Sequence, residues 1–228
     1  MEPSATQVQE LFDRVAPVYD RVNDATSFGL HRVWKRMAVL WSGAKAGDRA
    51  LDLCCGSGDL AQLLGDRTGK TGRVWGVDFS AELLAVARSR PVRSPIEWVR
   101  ADALNLPFTD CSFDAATMGY GLRNLTDIPR GLSELYRVLK PGATAAILDF
   151  NRPRSQWVRG FQKTYLDRVV VPQARSQGLE AEYAYIFPSL ERFPDGKTQV
   201  QLSRDAGFSR AVHYPIALGL MGVLVVSK

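Results

Sequence analysis

The stretch Ala50-Leu51-Asp52-Leu53-Cys54-Cys55-Gly56-Ser57-Gly58-Asp59-Leu60-Ala61 runs from an apolar segment of strand character, through a glycine turn, into the start of a helix. Glycines at 56 and 58 permit the backbone angles of a tight turn and leave room for a ligand against the main chain. The run formally satisfies G-x-G-x-x-(G/A), and Asp78 follows Gly56 by 22 positions, near the spacing of a ribose-binding acid. A dinucleotide is therefore one reading. Electrostatics favour another, because a pyrophosphate seeks the positive end of the following helix, where Asp59 stands, and Asp52 closes the strand below. S-adenosylmethionine carries a sulfonium, an ammonium and ribose hydroxyls but no phosphate, so carboxylates beside the turn suit it.

Outward from this turn, short apolar runs alternate with amphipathic stretches, the pattern of a parallel α/β sheet. Strands are predicted at 50–54, 73–78, 96–100, 113–118 and 143–150, and Ser80 is placed to cap a helix over 81–88. A helix over 126–139 is expected to stop at Pro141-Gly142. After a helix over 197–206, two strands near 210–217 and 220–226 with no helix between them predict an antiparallel hairpin on the sheet edge. The expected fold is α/β: a Rossmann-like, doubly wound sheet, mostly parallel with a C-terminal antiparallel hairpin, plus a helical cap. Residues 1–45 read as a helical cap or substrate segment, 46–150 as the cofactor-binding core, 151–195 as a cap insertion and 196–228 as the completion of the core. Ligands of such sheets sit at the carboxyl ends of the strands, where Asp52, Asp78, Asp102, Gly119 and Asp149 all fall.

The chain has 228 residues, 46% of them hydrophobic, enough to bury a substantial core and to exclude disorder. A net charge of +5 permits an anionic substrate, a membrane surface or nucleic acid without choosing among them. Cys54, Cys55 and Cys111 offer no paired metal-ligand spacing, so no metal is expected. The first residues lack a basic flank and an apolar run, and the longest apolar tract, Pro215 to Val226, is well short of the roughly 20 residues that span a bilayer. A cytoplasmic protein is expected, with peripheral membrane contact left open; oligomeric state is not legible.

The glycine turn, the acid at 78 and the pair Asp102-Ala103 occur in the order and at the strand ends of class I S-adenosylmethionine-dependent methyltransferases, which this region resembles. The resemblance implies that Gly56, Ser57 and Gly58 approach the methionyl part, Asp78 receives the ribose hydroxyls and Asp102 accepts from the adenine amino group, with Ala103 beside it. Asp52 faces the cofactor's positive end or orders the loop, and Gly119 offers only its backbone. The block Tyr19-Asp20…Asn23…Ser27…His31…Trp34, with Phe12-Asp13, Gly121-Leu122-Arg123-Asn124 and Arg137-Val138-Leu139-Lys140-Pro141-Gly142, resembles the ubiquinone/menaquinone-biosynthesis C-methyltransferase family over nearly the whole chain. The Cys54-Cys55-Gly56-Ser57-Gly58 turn and the ending from His213 to Val225 are most similar to its cyanobacterial and plastid branch. That implies a phytyl-bearing naphthoquinol as substrate, with demethylmenaquinol or a methoxybenzoquinol as alternatives.

Carbon methylation needs a nucleophilic ring carbon, which a reduced quinol supplies and an oxidised quinone does not. The site then needs a base, a stabiliser for the aryloxide and alignment. His31 is the candidate base by its pKa class, or else a hydrogen-bonded helix residue. Arg123 is placed to stabilise the aryloxide, or else forms a surface ion pair; Asn124 orients a hydroxyl or water, and Asp149 is a second candidate base. Phe150, Trp157, Phe161, Tyr165, Tyr183, Tyr185 and Phe187 offer aromatic surface for an isoprenoid tail, or core packing. Arg152, Arg154, Arg159, Lys163 and Arg168 form either a membrane-facing or a solvated basic face. A nucleic-acid methyltransferase is disfavoured, because the fourth strand leads into Gly119-Tyr120-Gly121-Leu122 and not into an Asn/Asp-Pro-Pro-aromatic segment; no nucleic-acid partner is expected. A non-catalytic cofactor- or quinol-binding module is the alternative from another class.

Overall fold

A computed structural model describes residues 13–14, 29–153, 155–165, 167–168, 171–175 and 186–228. The block from Tyr19 to Phe28, Arg154, Tyr183, Tyr185 and the side chain of Phe187 lie outside the described residues.

The apolar runs become a seven-stranded sheet of order β3-β2-β1-β4-β5-β7-β6, with β1 Arg49–Leu53, β2 Arg73–Asp78, β3 Ile96–Arg100, β4 Phe113–Gly119, β5 Leu139–Phe150, β6 Arg210–Ile216 and β7 Met221–Ser227. β1 to β5 pair in parallel, whereas β7 runs antiparallel to both β5 and β6. The strand order reverses at β1, whose neighbours β2 and β4 diverge and open a crevice at their carboxyl ends.

Helix α1 spans Leu30–Trp41, α2 Asp59–Thr68, α3 Ala81–Ser89, α4 Ile128–Val138, α5 Gln156–Tyr165, α6 Val171–Arg175, α7 Ile186–Arg192 and α8 Gly196–Asp205. Side-chain caps set three of the starts: Ser80 Oγ accepts from the Leu83 amide at 3.1 Å, Asp127 from Arg130 at 2.9 Å and Asp195 from Thr198 at 2.9 Å. Alternation along the buried strands sends side chains to two core layers. Leu51, Phe113, Met118, Leu132 and Ile147 fill one, and Ala38, Ala50, Leu64, Val74 and Leu148 fill the other. Among the described residues no helix is long and apolar enough to cross a membrane, and no group of three or more His, Cys, Asp or Glu is placed to hold a metal ion.

The expected helix over 126–139 ends one residue early, and the fifth strand starts four residues before its expected position. Leu139 is already extended and pairs with Phe113, after which the register jumps to Ala115 opposite Thr144. Pro141-Gly142 therefore bulges out of the strand and does not stop the helix; proline has no amide for the ladder, and Gly142 sits at φ 78°. The C-terminal hairpin forms on the sheet edge as expected, its turn a 3-10 segment over Ala217–Gly219.

Candidate active site

The turn after β1 is tied to the end of β2 by hydrogen bonds. Asp78 Oδ2 accepts from the Gly56 amide at 2.8 Å and Oδ1 from the Ser80 amide at 3.0 Å. Each oxygen keeps lone-pair capacity for a further donor. Burial raises the Asp78 pKa, against the lowering by those amides. Gly56 has φ 54° with open space where a Cβ would stand, whereas a Cβ on Gly58 would lie 2.5 Å from the Trp98 ring. The first glycine thus leaves the turn accessible and the second lets it pack. Ser57 is buried, its carbonyl accepting from Arg90 at 2.8 Å.

The two acids bracketing the turn differ. Asp59 pairs with Lys35 at 2.6 Å and Arg90 at 2.7 Å. Burial pushes its carboxyl up, but these two cations outweigh that and hold it at about 2. The expected repulsion of a pyrophosphate by Asp59 is therefore corrected: its charge is neutralised by residues remote in sequence, so the electrostatic case rests on the other acids. Asp52 is fully buried, its Oδ1 accepting from Thr117 at 2.8 Å across the β1–β4 register and its Oδ2 unpartnered. Burial raises its carboxyl to about 7, against lowering by Thr117, the Ala61 amide and Lys35. An orphaned buried carboxylate oxygen under an open glycine turn fits a cationic ligand, and the spare lone pairs of Asp78 fit a diol. Asp102 is exposed past β3, its Oδ1 accepting from the Leu104 amide at 2.9 Å, with Ala103 buried beside it.

On the other side of the crevice, Gly119 ends β4, and a Cβ there would lie 2.6 Å from Leu60 Cδ1, so its bareness serves close packing on α2. Cys54 and Tyr120, at the ends of adjacent strands, both adopt left-handed φ, 55° and 60°. They meet through Gly121, whose Cβ would lie 2.6 Å from that of Cys54. Two non-glycine residues held in this region store strain of order 1–3 kcal/mol each, a feature that clusters at functional sites.

Arg123 is a buried clamp, not a surface ion pair. Its Nη1 donates to Asp149 Oδ1 at 2.7 Å and to the Tyr120 carbonyl at 3.0 Å, while its amide donates to Asp149 Oδ2 at 3.1 Å. Both side chains are under 10% exposed, at 7% and 4%. Asp149 also accepts from its neighbour Phe150 at 2.8 Å, so both its oxygens are engaged in holding Arg123, a poor arrangement for the second base expected there. Arg123 Nε and Asn124 Oδ1 are buried without partners, although Asn124 Nδ2 donates to Tyr120 at 2.9 Å.

His31 is buried on the face of α1 that carries Lys35 one turn later. Lys35 Nζ lies 5.9 Å from the Tyr120 ring centroid, Tyr120 packs on Phe150 at 5.7 Å, and Arg123 lies 5.0 Å over Phe150. This face of α1 thereby meets the ends of β4 and β5. Sequence reasoning missed Lys35, Arg90 and Thr117, whose roles arise only from the register of distant elements. It also missed Asp13, whose carboxylate accepts from Ser80 Oγ beside Asp78; its place in the Phe12-Asp13 pair was the one available signal.

This sheet order, with a glycine turn after the first strand and an acid after the second, defines a class I S-adenosylmethionine-dependent methyltransferase. The fold is shared with such an enzyme of Thermotoga maritima (TM-score 0.67, 22% identity, 96% of this chain and 99% of that one) and with the methyltransferase bound to the Trm112 activator of Haloferax volcanii (TM-score 0.70, 20% identity, 95% and 96%). Residues 1–228 match the ubiE/COQ5 methyltransferase family, and the chain belongs to it. It is 62% identical over 226 residues to the 2-phytyl-1,4-naphtoquinone methyltransferase of Nostoc punctiforme, covering 97% of this chain and 98% of that protein. It is 52% identical over 224 residues to the chloroplastic 2-phytyl-1,4-beta-naphthoquinone methyltransferase of Arabidopsis thaliana, covering 96% and 86%.

Proposed function

We propose that the protein methylates a ring carbon of a reduced, phytyl-bearing naphthoquinol, converting demethylphylloquinol to phylloquinol with S-adenosylmethionine as methyl donor. The observation that carries this reading is the buried Arg123–Asp149 clamp with its unpartnered Nε, set beside the cofactor turn; the names of the relatives supply the substrate class. Asp52, the turn at 56–58, Asp78 and Asp102 would hold the cofactor, which when bound supplies an electrophilic methyl on a sulfonium. His31 removes a proton from the acceptor hydroxyl, Arg123 stabilises the aryloxide and Asn124 orients it, while Asp149 keeps the guanidinium in place. With labelled S-adenosylmethionine, transfer is expected to reduced 2-phytyl-1,4-naphthoquinol in preference to demethylmenaquinol and methoxybenzoquinol. Transfer to the oxidised forms would sink the mechanism. His31→Ala is expected to slow single-turnover transfer about 100-fold or more at saturating cofactor, and near-normal transfer would remove His31 from the chemistry.

The acceptor's tail keeps it in a bilayer, and we propose that the protein meets it there. Trp157 is 91% and Phe161 60% exposed, one turn apart on α5, which also carries Arg159 and Lys163. This pairs insertable aromatics with attraction to an anionic surface of about 1 kcal/mol from Arg159, Lys163 being already paired with Asp167 at 2.6 Å. Pelleting with phosphatidylglycerol vesicles is expected at low salt, weaker at high salt and weaker again in Trp157→Asp. No pelleting at low salt would end the proposal.

A further inference from the structure

A cavity of about 820 Å³ opens beyond the carboxyl end of β5, walled by α5, the start of α8 and the β6–β7 turn. Its apolar lining includes Val158, Val200 and Ile216, and its polar groups include Asn151 and His213. This size and mixture are those of a small-molecule site. Asn151 follows β5 directly, two residues after Asp149, so the cavity and the Arg123 clamp share one strand end.

Asn151 is 6% exposed and held on three sides. Its amide donates to Leu220 at 2.9 Å, its carbonyl accepts from Gln162 at 3.2 Å, and its Nδ2 donates to the Gly219 carbonyl at 2.9 Å. The last contact fixes the side-chain amide, since a flip would set oxygen against oxygen. What is left is Asn151 Oδ1, buried at the cavity wall without a partner. A buried acceptor in this state can take a hydrogen bond from a ligand donor. The His213 ring is seated between two bare residues: a Cβ on Gly196 or on Gly222 would lie 2.3 Å from one of its nitrogens. The slot fixes the ring edge where it lines the cavity.

We propose that this cavity receives one hydroxyl edge of the acceptor ring, the other edge facing Arg123 across the shared strand end, and that Asn151 is a specificity-determining residue that reads the oxidation state of the ring by accepting a hydrogen bond from the hydroxyl on its side. The proposal rests on the quinol reading above and adds the place of binding. A reduced ring brings an O–H donor to Asn151 Oδ1, whereas an oxidised ring brings a carbonyl oxygen, lone pair against lone pair. Val158, Val200 and Ile216 cover the apolar body.

The probes are 2-phytyl-1,4-naphthoquinol, kept reduced, and 2-phytyl-1,4-naphthoquinone, which has the same heavy atoms without the donors. Equilibrium dialysis against the full chain is expected to give about tenfold or greater preference for the diol, the usual effect of leaving a buried polar group unpaired. In Asn151→Ala the preference is expected to fall below about twofold, and in Val158→Trp both probes are expected to weaken at least about tenfold because the cavity is filled. S-adenosylmethionine binding is expected to be unchanged in both variants. An unchanged preference in folded Asn151→Ala, or native binding in Val158→Trp, would overturn the assignment; the second variant decides if the first fails to fold. Loss of methyl transfer to every reduced acceptor with the Asn151-dependent preference intact would fault the quinol methylation reading and spare the cavity. Native transfer rates in both variants would do the reverse.

Discussion

Arg123→Leu is expected to cost about 3 kcal/mol of folding stability and to slow methyl transfer about 100- to 1000-fold. The stability loss follows from burial. Arg123 and Asp149 are 7% and 4% exposed, and removing the guanidinium strands a carboxylate whose remaining partners are the amides of Arg123 and Phe150. Breaking one side of a buried pair costs about 3–5 kcal/mol because the other charge is left uncompensated. The penalty belongs to the stranded charge, so adding Asp149→Asn to the Arg123→Leu background is expected to recover most of it. Catalysis should not follow, since the guanidinium is the group proposed to stabilise the aryloxide, and loss of one such donor typically costs about 100- to 1000-fold. Urea denaturation and single-turnover transfer on the two variants separate the roles. A single variant within about 1 kcal/mol of the parent would show that the pair is not the clamp described. Recovery of transfer in the double variant would remove Arg123 from the chemistry.

The parts legible in the sequence are those whose cause is local. The turn at 56–58, the acids at 52, 78 and 102, the Ser80 cap and the hairpin without a helix all follow from periodicity or a short-range hydrogen bond. What was misread depends on distant partners. Asp59 looked like a bare charge because Lys35 and Arg90 reach it from α1 and from just beyond α3. Asp149 looked like a base because its commitment to Arg123 appears only when β5 lies beside the end of β4. Pro141-Gly142 looked like a helix stop because a bulge is visible only against the partner strand.

Asp52 carries the second large effect, and its sign is opposite to that of an ordinary salt-bridged acid. Burial raises its carboxyl from 3.8 to about 7, so the folded chain binds this proton more tightly than the unfolded chain. Stability from this group is therefore full below pH 4 and is lost as pH rises through 7, a swing of about 4 kcal/mol. The opposite contribution of Asp59, whose carboxyl lies at about 2, is confined below pH 4 and does not overlap. Asp52→Asn removes the swing, so this variant is expected to match the parent near pH 4 and to exceed it by about 2 kcal/mol or more at pH 8. The same carboxylate should cost the variant its cofactor, because a cationic ligand above the turn favours the ionised form and a neutral amide offers it nothing. Binding of S-adenosylmethionine at pH 6 is then expected to release about 0.9 proton in the parent and none in Asp52→Asn, read by calorimetry in buffers of different ionisation enthalpy. Parent affinity should fall about fivefold between pH 7 and pH 6, while that of the variant stays flat and weak. Flat affinity in the parent with no proton released would mean that Asp52 orders the glycine loop and does not face the cofactor's charge.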